Sequence, residues 1–542
     1  MRPLWYRNAV IYQIDPSLFR DSNGDGCGDL RGITERLDYI RGLGCTAIWL
    51  MPFYQSPFED AGYDISDHLQ VAERFGDLAD IVALLEKAEE LGLHVIIELV
   101  VQHTSSEHRW FQEARRDRDS PYRDYYIWAD EPDDAIEPIF PTVEDSVWTW
   151  DEQAGQYYRH LFYKHEPDLN LTNPRVIHEI ERIMSFWLRL GVSGFRIDAA
   201  VHMVRQAGGG DLRQGYWLLE HMRDFVTMRR PETVLLGEID TDPEKYIEYF
   251  GDEADRVTLL LDFWVNNHLF LALARQQAEP LCRALNSQPL PPSHSQYALW
   301  IRNHDELSLD RLEEDERNEV LDTFAPDQNM RAYNRGIRRR LAPMLDGDER
   351  RIAATHALLF SLPGTPIIRY GEEIGMGDDL ERPERLAVRT PMQWSNEPNA
   401  GFSCIDAQRL IAPVIDEGPF AFDRVNVFAQ TLRSDSLMAR TGNMIRTRIG
   451  LREIGIGKRR TVEVEVDDPS VFAIRHDNDS TVLMLVNLAD RETTVTITDD
   501  DLQDMVDVLA DCDYGQPEGT PLQLRLGPYG YRWLRRKQQL FG

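Results

Sequence analysis

The chain has 542 residues and carries 92 acidic against 59 basic side chains, a formal net charge of −33. A field of that sign repels nucleic acid and anionic membrane surfaces, so we expect a small neutral partner and neither a nucleic-acid nor a membrane partner. The length predicts two or three domains, and 42% hydrophobic residues are enough for a sizeable core.

Five cysteines are scattered singly along the chain, with no CxxC pair. An odd and dispersed set favours free thiols in a reducing compartment over a disulfide framework. The first residues carry charges and aromatic rings instead of an apolar run, and no stretch reaches the length of a membrane span. We therefore expect a cytoplasmic location; the oligomeric state stays open, a homo-oligomer included.

Strand-like apolar runs alternate with helix-like segments over the first 375 or so residues. Asp77 is a candidate N-cap of one such helix, and Asn173-Pro174 opens another. This alternation predicts a (β/α)₈ barrel of the TIM type, in the α/β class. The predicted strand runs are Ala9–Asp15, Ala47–Phe53, His94–Val101, Gly194–Ala200, Thr233–Ile239, Leu259–Trp264, Ala298–Glu306 and Pro366–Gly375.

Two segments interrupt the alternation. Residues 104–166 follow the third strand and are too long for an ordinary loop, which indicates an inserted domain. Residues 455–542 show short alternating strands, which predicts a C-terminal antiparallel β-sandwich and leaves 1–103 and 167–454 to the catalytic barrel. The predicted sandwich strands are Thr461–Val466, Val471–Arg475, Val482–Asn487, Thr493–Thr498, Leu522–Leu526 and Tyr531–Leu534.

Polar residues stand at the ends of four of the predicted barrel strands, the place where barrel enzymes keep their catalytic groups. Cleavage of a glycosidic bond with retention needs two neighbouring carboxyl groups, one to attack and one to protonate the leaving oxygen. Any one of these carboxylates alone would be interpreted as an ordinary charge at a strand end. Three of them at one barrel mouth favour a catalytic role instead. The residues are His103, Arg196, Asp198, Glu238, His304 and Asp305.

The segments EPDLN, GFRIDAAVH, LLGEID and RNHDE occur in this order along the chain. They resemble the motifs of glycoside hydrolase family 13, the α-amylase superfamily. The resemblance covers essentially the whole chain and implies a catalytic barrel, an inserted domain after the third strand and a C-terminal β domain. It implies that Asp198 is the nucleophile, Glu238 the acid/base and Asp305 the transition-state stabiliser. His103, Arg196 and His304 would contact the sugar or hold the carboxylates.

The segments AGYDISDH and VRTPMQW resemble the pocket of family members that act on chain ends. The resemblance implies that Tyr63 stacks under a glucose ring and that Asp64 binds its non-reducing end and pairs with Arg389. That pair would wall off a pocket for one glucose unit. The alternatives are plain packing for Tyr63 and a surface ion pair for Arg389.

The loop DSNGDGCGD places oxygen atoms at alternate positions around glycines, an arrangement suited to Ca²⁺. The twelfth position of the loop is Gly32 instead of glutamate, so the loop is not an EF-hand. Family relatives carry structural calcium on a similar loop; the alternative is an Asx-turn loop without metal. The candidate ligands are Asp21, Asn23, Asp25, the Cys27 carbonyl and Asp29.

Glu98 and Gln102 depart from the family, which usually has Asp and Asn at these positions. The asparagine commonly helps to hold a second calcium beside the inserted domain, so Gln102 puts that metal in question. Other segments, RNHDELSLD and GIRRRLAPMLDGD among them, resemble members that isomerise maltose to trehalose. Three outcomes stay open: intramolecular glucosyl transfer, hydrolysis of small α-glucosides, and a non-catalytic scaffold, against which the intact carboxylate set argues.

Overall fold

Eight parallel strands close into a barrel in the computed structural model, in the order first to eighth with the eighth pairing back on the first. Ile11 lies beside Ala47 of the second strand and beside Ile367 of the eighth, which completes the ring. The barrel strands are Ile11–Ile14, Ala47–Leu50, His94–Leu99, Gly194–Ile197, Val234–Gly237, Leu259–Leu261, Gln296–Trp300 and Thr365–Arg369. The structure describes every residue except 1–3, 133–135, 141–142, 456–461, 464–465, 498–501, 503, 518, 520 and 538–542.

Each predicted barrel run overlaps an observed strand, but the runs extend too far at their C-terminal ends, and the last two begin one or two residues late. The seventh strand ends at Trp300 and the eighth at Arg369, so His304 and Asp305 lie on the loop that follows the seventh strand. Of the residues predicted at the barrel mouth, Arg196 lies on a strand and the others lie on loops held by the ends of rigid strands.

The strands are buried on both faces because side chains alternate between the barrel interior and the surrounding helices. Ile11 and Trp49 belong to the interior cluster, whereas their neighbours Tyr12 and Ile48 pack in the outer layer against helices. The helices begin as expected: Asp77 forms a capping box with Asp80, and the Asn173 side chain accepts from Arg175 N. The longer helices are Leu30–Leu43, Leu78–Glu90, Arg109–Arg116, Pro174–Leu190, Ala200–Ala207, Trp217–Arg229, Phe263–Arg275, Glu279–Ser287, Glu314–Phe324, Glu349–Ser361 and Leu437–Gly450.

A separate lobe follows the third barrel strand, as the fold class predicts. It contains the helix Arg109–Arg116 and a three-stranded antiparallel sheet in which Gln156–Arg159 lies between Trp128–Ala129 and Trp148–Asp151. A β-bridge between His103 and Asp168 places the two ends of this lobe side by side. The residue bounds assigned above to the three domains stay predictions.

Two antiparallel sheets pack face to face after the barrel, which confirms the C-terminal sandwich. The larger sheet is built from Val462–Glu463, Val471–Asp477, Thr481–Asn487, Met505–Ala510 and Tyr531–Arg536, and the smaller from Thr493–Ile497 and Leu522–Leu526. One hydrophobic cluster joins both sheets, with Leu483 and Leu485 from the larger meeting Val495 and Leu524 from the smaller.

The sequence patterns missed one sandwich strand, Met505–Ala510. It carries a β-bulge between Asp507 and Leu509, so its alternation of apolar residues is broken. Part of the predicted strand Thr461–Val466, and the last residue of Thr493–Thr498, lie outside the described residues. Cys27, Cys45, Cys404 and Cys512 are free thiols. Among the described residues, no helix combines the length and apolarity needed to cross a membrane.

Candidate active site

Three carboxylates surround the Arg196 guanidinium at the mouth of the barrel. Arg196 lies on the fourth strand and is 1% exposed. Its Nη1 donates to Asp198 and, at 2.9 Å, to Glu98 Oε2, while its Nη2 lies 2.7 Å from Glu238 Oε1. Asp198 and Glu238 are therefore adjacent and held by one planar cation. Because one positive charge cannot balance three neighbouring negative charges, two of them buried, the cluster favours holding a proton.

Glu238 follows the fifth strand, and its Oε2 accepts a hydrogen bond from the backbone N–H of Ala199 at 2.9 Å. Burial raises the pKa of Glu238 to about 7, while Arg196 opposes that rise and Asp198 adds to it. Ala199 has a φ of +51°, an unusual conformation for a residue with a Cβ, which directs this N–H toward the carboxylate. A carboxyl group that is half protonated near neutral pH can both donate and accept a proton.

Glu98 lies beneath this pair and is fully buried. Its Oε1 accepts from Trp49 Nε1 at 2.9 Å and from the Tyr63 hydroxyl at 3.2 Å. Burial raises the pKa of Glu98 to about 8, although Arg196 opposes the rise. The longer side chain of glutamate thus spans from Trp49 to Arg196 and shares the guanidinium with Asp198.

Asp305 accepts from cations on both sides. Its Oδ1 lies 2.9 Å from Arg385 Nη1 and 2.9 Å from Arg389 Nη2, and its Oδ2 lies 3.0 Å from His304 Nε2. Burial alone would raise the pKa of Asp305, but His304, Arg385 and Arg389 hold it well below its usual range. Burial lowers the pKa of His304 to about 4, so at neutral pH the two arginines supply the positive charge and His304 a hydrogen bond.

Tyr63 and His304 form a stacked pair at the floor of the site. Their rings lie 5.7 Å apart at an interplanar angle of 7°, and the Tyr63 hydroxyl is 2.8 Å from His304 Nε2. The Gln13 amide nitrogen, 2.9 Å from His304 Nδ1, orients the imidazole from the other side. Gln13 was not a predicted site residue; an amide within the apolar run of the first strand was the available signal.

The predicted pair between Asp64 and Arg389 is not formed. Asp64 is fully buried and accepts from Ser56 Oγ and Glu59 N, both at 2.9 Å, so its carboxylate caps its own loop. Arg389 instead donates Nε to the His304 carbonyl at 2.8 Å and Nη2 to Asp305. The expectation failed because it assumed that the short loop carboxylate was free to face an arginine. Arg385, which the sequence reasoning missed, pairs with Asp60 and Asp305.

His103 lies at the junction with the inserted lobe, where its Nε2 is 3.2 Å from the Tyr63 carbonyl and 3.6 Å from Glu166. Beside it, both polar atoms of the buried Gln102 side chain lack a hydrogen-bond partner among the described residues. The buried carboxylate of Asp168 accepts from Arg159 Nε at 2.8 Å. The residues of this junction do not fit a second calcium, because a guanidinium already supplies the cation.

The loop at 21–29 is closed by side chain to backbone hydrogen bonds. Asp21 accepts from Gly24 N and Gly26 N, Asn23 accepts from Asp25 N, and Asp29 caps the following helix at Gly32 N. Within the described part of the chain, no three Asp, Glu, His or Cys side chains are arranged to hold a metal ion. The oxygen atoms fit calcium in type, since each carboxylate keeps lone pairs beyond these bonds.

A cavity of about 280 Å³ opens above the carboxylates. Glu238 and Asp305 line it from the barrel, Phe140 and Phe162 from the inserted lobe, and Arg385 from the loop after the eighth strand. A neighbouring cavity of about 630 Å³ lies on the other side of Arg385, which lines both. The lining combines aromatic faces with many charged side chains, so it offers both a stacking surface and hydrogen-bond partners for a polar ligand such as a sugar.

The barrel, its inserted lobe and this set of carboxylates define an enzyme of the α-amylase superfamily. The family model for the alpha amylase catalytic domain matches residues 13–325 and 331–453, so the chain belongs to the α-amylase family. The model of a sucrose hydrolase-like C-terminal domain matches residues 480–535.

Among individual relatives, the chain is 38% identical to a trehalose synthase/amylase of Mycobacterium tuberculosis, over 98% of this chain and 90% of that protein. It is 31% identical to a glucan 1,6-alpha-glucosidase of Streptococcus pneumoniae, over 92% of this chain and 94% of that protein. The crystal structure of a trehalose-6-phosphate hydrolase from Bacillus licheniformis superposes with a TM-score of 0.77 at 28% identity, covering 98% of this chain and 99% of that chain.

Proposed function

We propose that this enzyme isomerises maltose to trehalose by moving a glucosyl group within one bound disaccharide, with retention at the transferred carbon. The observation that carries the proposal is the shared guanidinium of Arg196, which holds Asp198 and Glu238 side by side at the barrel mouth. The similarity to trehalose synthase/amylase over almost the whole chain supports the choice of substrate.

In the first step the Asp198 carboxylate attacks the anomeric carbon, and the C1–O bond of maltose breaks as a glucosyl–aspartate ester forms. Glu238 gives its proton to the departing oxygen, for which a pKa of about 7 suits it. Asp305 stays ionised between its arginines and lies beside the positive charge that develops on the sugar.

In the second step the released glucose turns and presents its anomeric hydroxyl. Glu238, now ionised, takes the hydroxyl proton, the new C1–O bond forms and the bond to Asp198 breaks. Two displacements at one carbon give net retention. A trapped sugar reacts at high effective concentration, provided that water stays excluded.

A hydrolase of small α-glucosides is the second candidate, favoured by the similarity to glucan 1,6-alpha-glucosidase. It would use every residue named above and differ only in the acceptor, which would be water. The cavity of about 280 Å³ beside Glu238 has room for a sugar acceptor, and its aromatic walls favour the isomerase.

Further proposals concern the supports of the site. Tyr63 stacks under the bound glucose, and Asp64, His103, His304 and Arg389 bind it or hold the groups that do. The loop at 21–29 would hold one structural calcium through Asp21, Asn23, Asp25, the Cys27 carbonyl and Asp29. The free cysteines suit a cytoplasmic protein, and a homo-oligomer is compatible with that location.

The test is carbon NMR of purified enzyme incubated with maltose, repeated from trehalose and repeated with labelled free glucose. We expect trehalose as the main product of maltose and maltose as the main product of trehalose, with little external label in either. Glucose as the only product would establish the hydrolase instead. Heavy incorporation of external label would show an open transglycosylase.

A further inference from the structure

A cavity of about 890 Å³, which we call the junction cavity, lies between the inserted lobe and the barrel. Trp128 lines it from the lobe, and Gln206 lines it from the helix that follows the fourth strand. His202, on the same helix, lines both this cavity and the one beside Glu238. The catalytic carboxylates do not line the junction cavity, so it is a separate cavity next to the active site.

Two buried glutamine side chains in the wall of the junction cavity lack hydrogen-bond partners. Gln102 is fully buried and Gln206 is 8% exposed, and in each the amide nitrogen and the amide oxygen have no partner among the described residues. Buried amides are almost always paired, because an unpartnered amide has lost its bonds to water without replacement. Two such amides in one wall indicate that a molecule in the cavity supplies the missing partners.

The other polar groups of the wall already have partners. Arg159 Nε donates to the Asp168 carboxylate at 2.8 Å. Arg123 donates to the Ala114 carbonyl at 2.8 Å, and its guanidinium covers the ring of Trp128 at 3.7 Å. Within the described part of the chain, the two glutamine amides are therefore the buried polar groups of this wall that remain for a ligand.

The chemistry of the two amides selects the class of ligand. Each amide combines an N–H₂ donor with an oxygen acceptor. A hydroxyl group can satisfy both, whereas an anion leaves the oxygens unsatisfied and a cation leaves the N–H₂ groups unsatisfied. We propose that the junction cavity binds a small neutral sugar, with its hydroxyl groups between Gln102 and Gln206. The volume falls in the usual range for pockets that hold small organic ligands, about 300–1,000 Å³.

A sugar in this position touches both sides of the junction. Gln102 directly precedes His103, where the chain leaves the third strand for the lobe, and Gln206 lies one turn after His202 on the barrel helix. The bound sugar therefore adds contacts between the lobe and the barrel. This site does not depend on which reaction the catalytic carboxylates perform, so its test is independent of the proposed glucosyl transfer.

Equilibrium dialysis with labelled glucose counts the sites, because glucose alone offers no glycosidic bond to cleave. We expect wild type to bind two glucose molecules per chain, one in the catalytic cavity and one in the junction cavity. In Gln206→Leu, and separately in Gln102→Leu, one of the two should weaken by at least about tenfold, the change expected when the hydrogen bonds of one amide are lost. Inhibition of 4-nitrophenyl α-glucoside cleavage by glucose reports the catalytic cavity and should stay within about twofold in Gln206→Leu.

Gln288→Leu is the matched control, because Gln288 is equally buried and its amide oxygen also lacks a partner, but it does not line the junction cavity. It should leave both binding events unchanged. The ligand-free thermal midpoint of Gln206→Leu should not fall, since leucine only removes an unpartnered buried amide. This measurement separates a lost ligand contact from a damaged fold.

Four results would overturn the sugar site. They are binding of a single glucose by wild type, an equal loss in Gln288→Leu, a lower ligand-free midpoint in both Gln102→Leu and Gln206→Leu, and displacement of the second glucose by inorganic phosphate. The third would mean that the amides already have partners in the protein, and the fourth that the ligand is an anion. If Gln102→Leu alone fails to fold, Gln206→Leu still decides the outcome.

Discussion

The proton on Glu238 can be tested by replacing Glu238 with glutamine, which keeps the shape of the side chain and removes its titration. A pKa of about 7, raised by burial against the pull of Arg196, means that the acid form is lost as the pH rises through neutrality. For wild type acting on maltose, kcat/KM should fall about tenfold for each pH unit above 7, because only protonated Glu238 can assist departure of the sugar. In Glu238→Gln this alkaline limb should be absent.

The size of the effect depends on the leaving group. With maltose, Glu238→Gln should lose at least about 10²-fold in kcat/KM, the usual contribution of a general acid. With 4-nitrophenyl α-glucoside the leaving group departs without a proton. The loss in kcat/KM should then be smaller than about tenfold. The reason is that kcat/KM reports only the steps up to the first irreversible step, which is formation of the glucosyl-enzyme.

Glu98→Gln is the matched control, because Glu98 shares the Arg196 guanidinium and burial raises its pKa to about 8. Because burial raises the pKa of both carboxyl groups and both contact one guanidinium, the alkaline limb has to be assigned by substitution. The limb should persist in Glu98→Gln and vanish in Glu238→Gln. The reverse result, or an equal loss of activity on both substrates in Glu238→Gln, would refute the assignment of the general acid.

Three further predictions follow from the contacts described above. Asp198→Asn should lower turnover of any α-glucoside by at least about 10³-fold at an unchanged thermal midpoint, and retention of a tenth of wild-type turnover would exclude Asp198 as nucleophile. EDTA should lower the thermal midpoint of wild type by linkage but not that of Asp25→Ala, and an EDTA-insensitive wild type without calcium on elemental analysis would exclude the metal loop. Arg159→Ala should lower the free energy of unfolding by about 3 kcal/mol in denaturant titration, because it leaves the buried Asp168 carboxylate unpaired. Asp168→Asn in the same chain should restore part of that loss.

The barrel was predictable because its strands are buried on both faces and read as continuous apolar runs. The meeting of Asp198, Glu238 and Asp305 at one barrel mouth was predictable because the C-terminal ends of the strands converge there whatever the conformation of the loops. The pairing of side chains on those loops was not: Arg389 and Arg385 are four residues apart in a charged segment, and nothing in their spacing shows which carboxylate each meets. The strand Met505–Ala510 was not predicted because a bulge breaks its alternation of apolar and polar residues and an acidic run precedes it.

Glu98 shows a different limit of prediction from the sequence alone. Glutamate in place of the family's usual aspartate adds one methylene, which the sequence shows. The effect of that methylene depends on the distance from the third strand to Arg196 and Trp49. The structure shows that the longer side chain reaches both partners, so the departure leaves the charge cluster intact. Gln102 is the converse case, since its amide has lost any partner among the described residues.

The bridge between His103 and Asp168 makes the inserted lobe a segment that could be replaced by the corresponding lobe of a relative. Its two chain crossings lie side by side at the barrel rim, so a graft from another relative has to match only one short gap. The lobe supplies Phe140 and Phe162 to the cavity beside Glu238. Such a chimaera would therefore change the preference for the acceptor sugar and leave the carboxylates of the barrel unchanged. Arg159 lies in the central strand of the lobe's sheet and pairs with Asp168, so Asp168 should be transferred together with the lobe.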